Sequence, residues 1–102
     1  MRVSTIAKRS AAGGGSTFAR FLGEEIRRRR LALGLSQTNV GQPLSRAFMS
    51  SVESGRLTPS LPSLLMIARR LNSSAAAILA SVETQLEDRI HDANTDETAI
   101  AR

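Results

Sequence analysis

The sequence contains no cysteine, no tryptophan and no tyrosine, and its only aromatic residues are three phenylalanines. The absence of cysteine excludes disulfide bonds and thiolate metal sites, and it is compatible with a reducing compartment such as the cytoplasm. Because aromatic side chains are so few, Leu, Ile, Val and Ala must fill most of the core. This composition is suited to packed helices.

Long apolar runs and catalytic clusters are also missing. No run approaches the roughly 20 apolar residues that cross a bilayer, and residues 1–16 lack the apolar middle of a secretory signal, so we expect a cytoplasmic protein without a membrane partner. The single histidine, His91, stands in a polar stretch, and residues 13–15, GGG, lack the lysine and the strand–helix context of a phosphate loop. Since acids, bases and nucleophiles do not cluster along the sequence, we expect no enzyme activity, no cofactor and no metal site.

Basic charge is present in excess and is unevenly distributed. The net charge is +5 over 102 residues. Residues 1–56 hold ten Arg and Lys against three Glu, a net charge of +7, whereas residues 57–102 hold four against six acidic residues, a net charge of −2. A basic half joined to a slightly acidic half indicates that one face meets a polyanion such as nucleic acid, although basic residues can also serve solubility alone.

Composition divides the chain into three parts. Residues 1–16 are basic, contain the stretch AAGGGS and show no periodicity, so they are predicted to form a disordered N-terminal arm. Such an arm either reaches into a DNA groove or has no role in binding. Residues 17–80 are predicted to form the folded domain, and residues 81–102 a C-terminal helical extension and polar tail.

Serine and glycine mark the ends of five predicted helices. Each helix has a serine suited to cap it, with Thr17 as the alternative to Ser16 at the first helix, and Gly34 and Gly55 are placed to end the first and the third. The fourth segment is apolar nearly all round, so we expect it to be the central buried helix of an all-α, compact five-helix bundle. The predicted helices span residues 17–33, 37–42, 46–54, 61–71 and a segment that begins after Ser74 and continues along the stripe of Val82, Leu86 and Ile90.

The second and third predicted helices start only nine residues apart, after Ser36 and Ser45. Pro43 disfavours helical geometry in the residue before it, so the second helix must be short. Gly41 is placed either where the two helices touch or as the glycine of the turn. Two short capped helices joined by a tight turn describe a helix-turn-helix.

With that motif the sequence resembles the Cro/CI-type (Xre-like, lambda-repressor-like) family of DNA-binding domains. The resemblance implies that the third helix enters the major groove of DNA. The second helix and its turn are shorter here than is usual in the family, which leaves open the angle between the two helices and the register of the third on DNA. The matching stretches are LGEEIRRRRLALGLSQ (22–37), SRAFMSSVESGR (45–56), PSLPSLLMIARRL (59–71) and SSAAAIL (73–79).

The resemblance assigns roles to individual residues. Arg46 matches a position that faces the groove, where a guanidinium can bond both O6 and N7 of guanine, but a phosphate contact or a free surface charge is as open to it. The implied base contacts are Arg46, Ala47, Ser50 and Ser51, and the implied backbone contacts are Gln37, Ser45 and Arg56, with Arg20 and Arg27 as weaker candidates.

One arginine interrupts the apolar stripe of the first helix. Arg30 must either extend its charge to water or meet a buried acid. In the family, the matching position pairs with the position that Glu53 occupies here. The resemblance therefore implies a structural ion pair between Arg30 and Glu53.

The rest of the RRRR run at residues 27–30 is not predicted to be a single patch, because it wraps most of the helix circumference. Glu24 and Glu25 precede Arg28 and Arg29 by four residues, a spacing that favours ion pairs on one helix. We therefore expect two surface pairs, with both arginines on a solvated face.

These features together predict a sequence-specific, double-stranded DNA-binding transcriptional regulator, which by family expectation is a homodimer on an inverted repeat. The alternative is an antitoxin-type module, which binds a protein partner and also its own promoter. Residues 75–90 are the predicted surface for either partner, although the stripe of Val82, Leu86 and Ile90 could equally pack on the protein's own core.

Overall fold

The computed structural model describes the backbone of residues 16–101 and the side chains of residues 16–90. Within that range the chain forms five α-helices and no strand, so the prediction of an all-α five-helix bundle is confirmed. The predicted N-terminal arm lies, apart from Ser16, outside the described residues. The helices are α1 (Thr17–Ala32), α2 (Gln37–Gly41), α3 (Arg46–Glu53), α4 (Leu61–Arg70) and α5 (Ala75–Ala101).

Every helix begins directly after a serine that caps it. In each case the serine hydroxyl accepts a hydrogen bond from the backbone N–H three residues further on, at 3.0–3.3 Å. This bond satisfies an N–H group that the first turn of a helix leaves without a partner, and one such cap contributes roughly 1 kcal/mol. The predicted caps are confirmed, with Ser16 rather than Thr17 at α1: Ser16, Ser36, Ser45, Ser60 and Ser74.

Three helices are followed by a residue with positive φ. Gly34 (φ +69°) follows α1, Gly55 (φ +81°) follows α3 and Asn72 (φ +56°) follows α4. Glycine has no Cβ to clash in this region, and asparagine tolerates it better than most residues. The predicted helix ends at Gly34 and Gly55 are confirmed, and Asn72 is a further one that the glycine pattern does not reveal.

Helix α2 is only five residues long and ends at Gly41. Gln42, which follows it, has extended backbone (ψ 137°), as expected for a residue before proline. The prediction of a short second helix is therefore confirmed. A connection of four residues, 42–45, then leads into α3.

The helices pack in a ring around one apolar core. Helix α1 packs on α5, α5 on α4, α4 on α2, α2 on α3, and α3 on α1. Each helix thus has two neighbours and buries one face. The buried side chains of the core are Leu22, Ile26, Val40, Met49, Val52, Leu64, Ile67, Ala68, Leu71, Ala75, Ile78 and Val82.

Helix α4 is not the central buried helix that its apolar sequence predicts. Leu64, Ile67 and Ala68 face the core, but Leu61 is 66% exposed and Leu65 is 56% exposed. The reason is that α4 packs against α5 and α2 on one face only, so nothing among the described residues covers the opposite face. The prediction was wrong because an all-round apolar sequence does not reveal how many faces its neighbours cover.

Helix α5 extends beyond its apolar stripe, through the polar segment to Ala101. Ile78 and Val82 are fully buried, Leu86 is half-buried and Ile90 is 60% exposed. The first part of the stripe therefore packs on the protein's own core, and this contact ends before Ile90. None of the helices described is both long and apolar enough to cross a membrane.

Candidate nucleic-acid interface

Helix α3 has one apolar face and one polar face. Met49 and Val52 have no exposed surface and anchor the helix in the core. Because residues three and four apart lie on the same side of a helix, these anchors leave the opposite side open to solvent. Of the four predicted base-contact residues, Ala47, Ser50 and Ser51 lie on that side, the first exposed and the other two partly exposed, while Arg46 is exposed at the edge of that side, at the first position of the helix.

A glycine in α1 sets how closely α3 approaches that helix. A Cβ built on Gly23 would lie 2.3 Å from the carbonyl oxygen of Val52 and 2.7 Å from that of Glu53. Only glycine permits this approach, because any Cβ would overlap backbone atoms that cannot rotate away. The C-terminal half of α3 is therefore fixed against the middle of α1.

A buried ion pair joins the same two helices. Arg30 donates from Nε to Glu53 Oε2 at 2.6 Å and from Nη2 to Glu53 Oε1 at 2.9 Å. Its Nη1 donates to the carbonyl oxygen of Leu35 at 2.8 Å, which also ties down the loop after α1. The hydrogen bonds that Arg30 donates to Glu53 raise the pKa of Arg30 and outweigh the opposing effect of burial. The structure thus contains the Arg30–Glu53 pair that the resemblance implies, in the two-pronged geometry that guanidinium and carboxylate groups favour.

Helix α2 is attached to α3 by one polar and one apolar contact. Gln37 donates from Nε2 to Glu53 Oε1 at 3.1 Å, so a single carboxylate holds both α1 and α2. A Cβ on Gly41 would lie 2.5 Å from Met49 Cγ, and the φ of Gly41 is not positive. Of the two roles open to Gly41, the structure therefore supports the close contact between helices and not the turn glycine.

The three predicted backbone-contact residues border the polar face of α3, but their side chains are used differently. The Gln37 amide is bonded within the protein, and the Ser45 hydroxyl caps α3 by accepting from the N–H of Phe48 at 3.0 Å. Arg56 is exposed, and its Nε donates to Ser54 Oγ at 3.1 Å. Arg56 therefore presents a charge to solvent, whereas Gln37 and Ser45 already have intramolecular partners.

Four exposed arginines surround the polar face of α3, and none of them forms an ion pair within residues 16–90. Two come from α1. Arg20 adjoins Gly55, whose built Cβ would lie 3.0 Å from Arg20 Cα, and Arg27 lines an open depression together with Ser50 and Ser54. The sequence makes Arg20 and Arg27 only weak candidates for DNA-backbone contacts, because the packing of α1 against α3 is not visible in it. The four are Arg20, Arg27, Arg46 and Arg56.

Arg28 and Arg29 do not belong to this surface, since both donate to Glu25. Arg29 does so at 2.6 Å, and Gln85 of α5 donates to the same carboxylate at 3.3 Å. The Glu25–Arg29 pair forms within α1, but Glu25 is only 1% exposed and also bonds α5, so the prediction of a surface pair was wrong. Arg28 pairs with Glu25 instead of Glu24. Burial raises the pKa of Glu25, but the hydrogen bonds and charges of Arg29 and Arg28 together hold it below its ordinary value.

Arg29 also donates hydrogen bonds to two serines that are distant in the sequence. It donates to Ser73 Oγ at 2.9 Å and to Ser81 Oγ at 3.3 Å, which joins α1 to the start of α5. The expected solvated face is therefore right for Arg28, whose side chain is 67% exposed, and wrong for Arg29.

Comparisons with protein-family models, with curated proteins and with solved structures found no match for the chain. Among the described residues, no group of three or more His, Asp or Glu side chains is placed to hold a metal ion. The function therefore has to be inferred from the polar face of α3 and from the arginines around it.

Proposed function

We propose that the chain is a sequence-specific transcriptional regulator that binds double-stranded DNA through a Cro/CI-type (Xre-like) helix-turn-helix, formed by α2 and α3. The observation that carries the proposal is the polar face of α3, which is open to solvent and bordered by four arginines outside any ion pair in residues 16–90. A helix anchored on one side and polar on the other is the arrangement with which proteins contact base edges in the major groove.

The dimensions of α3 support this proposal. An α-helix with its side chains is about 10–12 Å in diameter and the major groove is about 12 Å wide, so an exposed helix such as α3 fits into it. Recognition helices contact base edges mainly through their N-terminal residues. Arg46 and Ala47 occupy that end of α3 and are exposed, so Arg46 is the base-reading residue that we propose.

Electrostatics supports the same assignment. A protein gains affinity for DNA by neutralising phosphates with arginine and lysine, which releases bound counterions. Arg56 lies just beyond the end of α3, so it is placed to contact the backbone while Arg46 contacts bases. On α1, Arg28, Arg29 and Arg30 are bonded to glutamates, so the two arginines of that helix that have no carboxylate partner within residues 16–90, Arg20 and Arg27, are the ones beside α3.

We further propose that the regulator is a homodimer on an inverted repeat, with residues 75–90 of α5 as its contact surface. Two-fold symmetry in such a protein is matched by two-fold symmetry in its DNA site. Within residues 75–90, Ile90 is exposed and Leu79 and Leu86 are only partly buried, so these larger apolar side chains are available for a contact.

The experiment that tests the proposal is selection of bound duplexes from a random pool, followed by affinity measurements on the selected and random sequences. We expect enrichment of one motif with two-fold symmetry and an affinity for it at least about 10³-fold higher than for random DNA. Equal and weak binding to all duplexes at physiological salt would contradict the proposal. Half-site spacing in the selected motif reports whether two copies bind together.

An antitoxin-type module is the second candidate. The observation in its favour is the distal part of α5, where Ile90 lies among exposed acidic residues at a distance from the core: Glu83, Glu87 and Asp88. A stoichiometric second protein that co-purifies with the chain and is lost on the change Ile90→Arg would favour this candidate. A chain that purifies alone and selects one duplex motif would favour the regulator.

A further inference from the structure

An open depression lies between α1, α2 and α3, beside the polar face of α3. It is lined by side chains from all three helices and by the residue that follows α3: Arg27, Gln37, Ser50, Glu53 and Ser54. Its volume is about 320 Å³. One exposed guanidinium, that of Arg27, stands at its edge without a carboxylate partner among the described residues.

The carboxylate in this depression does not oppose the binding of an anion. The Glu53 side chain is 3% exposed, and both of its oxygens accept hydrogen bonds from Arg30, with a further one from Gln37 to Oε1. The Arg30–Glu53 pair has no net charge, so Arg27 leaves the depression with a positive charge. A positive, partly enclosed concavity attracts anions more strongly than a flat surface with the same charge.

Two serines add hydrogen-bonding groups to the same place. Ser54 Oγ donates to the carbonyl oxygen of Ser51 at 3.1 Å and accepts from Arg56 Nε at 3.1 Å, so Ser54 holds Arg56 at the rim. The Ser50 hydroxyl has no hydrogen-bond partner among residues 16–90 and lines the depression. Two guanidiniums and one free hydroxyl therefore converge on a site open to solvent.

We propose that this depression binds one phosphate group, with Arg27 as the main ligand and Ser50 and Arg56 as supporting donors. The inference rests on the proposed function, in which that phosphate is a phosphodiester of the bound duplex. Because Arg27 belongs to α1 and Ser50 to α3, one phosphate would bond both helices. The depression then fixes the register of α3 along the groove, since phosphate contacts position a protein on the duplex while base contacts read the sequence.

The salt dependence of duplex binding tests this assignment. Each neutralised phosphate contributes about 0.9 to the slope of log affinity against log salt. We expect Arg27→Ala to lower that slope by about 0.9 and to weaken selected and random duplexes by the same factor. Arg28→Ala is the matched control, since it removes a neighbouring exposed charge that is bonded to Glu25 on another side of α1, and its slope should equal that of the wild type. A wild-type slope for Arg27→Ala, or equal changes in both variants, would overturn the assignment of the site to a phosphodiester of the duplex.

A second measurement separates a phosphodiester from a free anion and works without DNA. Inorganic phosphate is titrated into the full chain while the backbone amides of Ser50 and Ser54 are followed by NMR. Saturable shifts that disappear in Arg27→Ala support the phosphate site, whether or not a duplex is bound. A failure to bind any duplex would contradict the proposed function and leave the phosphate site supported. Such shifts together with an unchanged salt slope in Arg27→Ala would overturn the duplex assignment, and the absence of shifts together with an unchanged slope would overturn the site altogether.

Discussion

Arg30 and Glu53 form a bidentate ion pair although they are only 8% and 7% exposed. They lie 23 residues apart in the chain, in α1 and α3, and Glu53 also accepts a hydrogen bond from Gln37 of α2. One carboxylate therefore sets the relative position of three helices. A buried pair of this kind adds little stability over well-packed apolar residues, but each partner leaves a costly unpaired charge when the other is removed.

The change Arg30→Ala should lower the free energy of unfolding by about 3–5 kcal/mol, because it leaves Glu53 charged and buried. Glu53→Ala should have a similar effect. The double change Arg30→Met with Glu53→Leu should recover much of the loss, since no charge then remains buried. Urea unfolding measures all three, with Arg28→Ala as a control that should cost less than about 1 kcal/mol because that ion pair is exposed on the arginine side. A loss in Arg30→Ala as small as in the control would refute the role of the pair.

The two helix-contact glycines should differ in their response to alanine. At Gly23 a Cβ would meet backbone oxygens of α3, so Gly23→Ala must push α1 and α3 apart and should cost about 1–3 kcal/mol despite the better helix propensity of alanine. At Gly41 a Cβ would meet the side chain of Met49, which can change rotamer, so Gly41→Ala should cost less. Thermal unfolding of both variants measures which of them loses more stability. A larger loss in Gly41→Ala than in Gly23→Ala would mean that α1 and α3 leave room for a Cβ at Gly23.

Acid should destabilise the protein partly through Glu25. Its pKa in the folded protein lies below the ordinary value, because the hydrogen bonds and charges of Arg29 and Arg28 outweigh burial. A carboxyl group with a lowered folded pKa stabilises the fold above its unfolded pKa, and that stability is lost as pH falls through the folded pKa. Unfolding free energy should therefore fall from about pH 5 downwards. Glu25→Gln should show a smaller difference between pH 7 and pH 3, and an equal difference would exclude Glu25 as a source of the acid sensitivity.

Arg46 and Arg56 should affect DNA binding in different ways. Arg46→Ala should reduce discrimination at one base pair by about 1–3 kcal/mol, because it removes a guanidinium placed at the N-terminal end of α3. Arg56→Ala should weaken selected and random duplexes alike, because it removes a charge that we propose to contact the DNA backbone. Binding to a panel of single-base variants of the selected motif measures both effects. Equal losses on specific and random DNA in the two variants would assign both arginines to the backbone.

The ends of the helices were predictable from the sequence, because caps and helix-ending glycines act over three or four residues. Each of the five serines bonds an N–H three residues further on, and Gly34 and Gly55 lie at positions where φ is positive. The burial of Val40, Met49 and Val52 was predictable for the same reason, since helical periodicity alone places them on an inner face.

The partners of the charged residues were less predictable, because they depend on contacts between distant segments. The spacing of four residues predicts a surface pair between Glu25 and Arg29. In the structure, however, α5 provides Gln85 as a further donor to Glu25, and Ser73 and Ser81 accept hydrogen bonds from Arg29. Only the resemblance to a known family, and not the spacing, pointed to Arg30 and Glu53 as a pair. Arg27 was only a weaker candidate for a backbone contact, because its position beside Ser50 depends on how α1 packs against α3.

The sequence by itself determined where each helix starts, where α1 and α3 end and which side of α3 is apolar, since those properties follow from hydrogen bonds and periodicity within a few residues. The tertiary structure alone decided that α4 has an open face, that Glu25 is buried, and that Arg27 stands beside Ser50. These depend on which helices approach one another and how closely. That approach is set by the missing side chain of Gly23, which lets α3 come close to α1, and by the packing of α5 on α1, neither of which can be read from any single stretch of the chain.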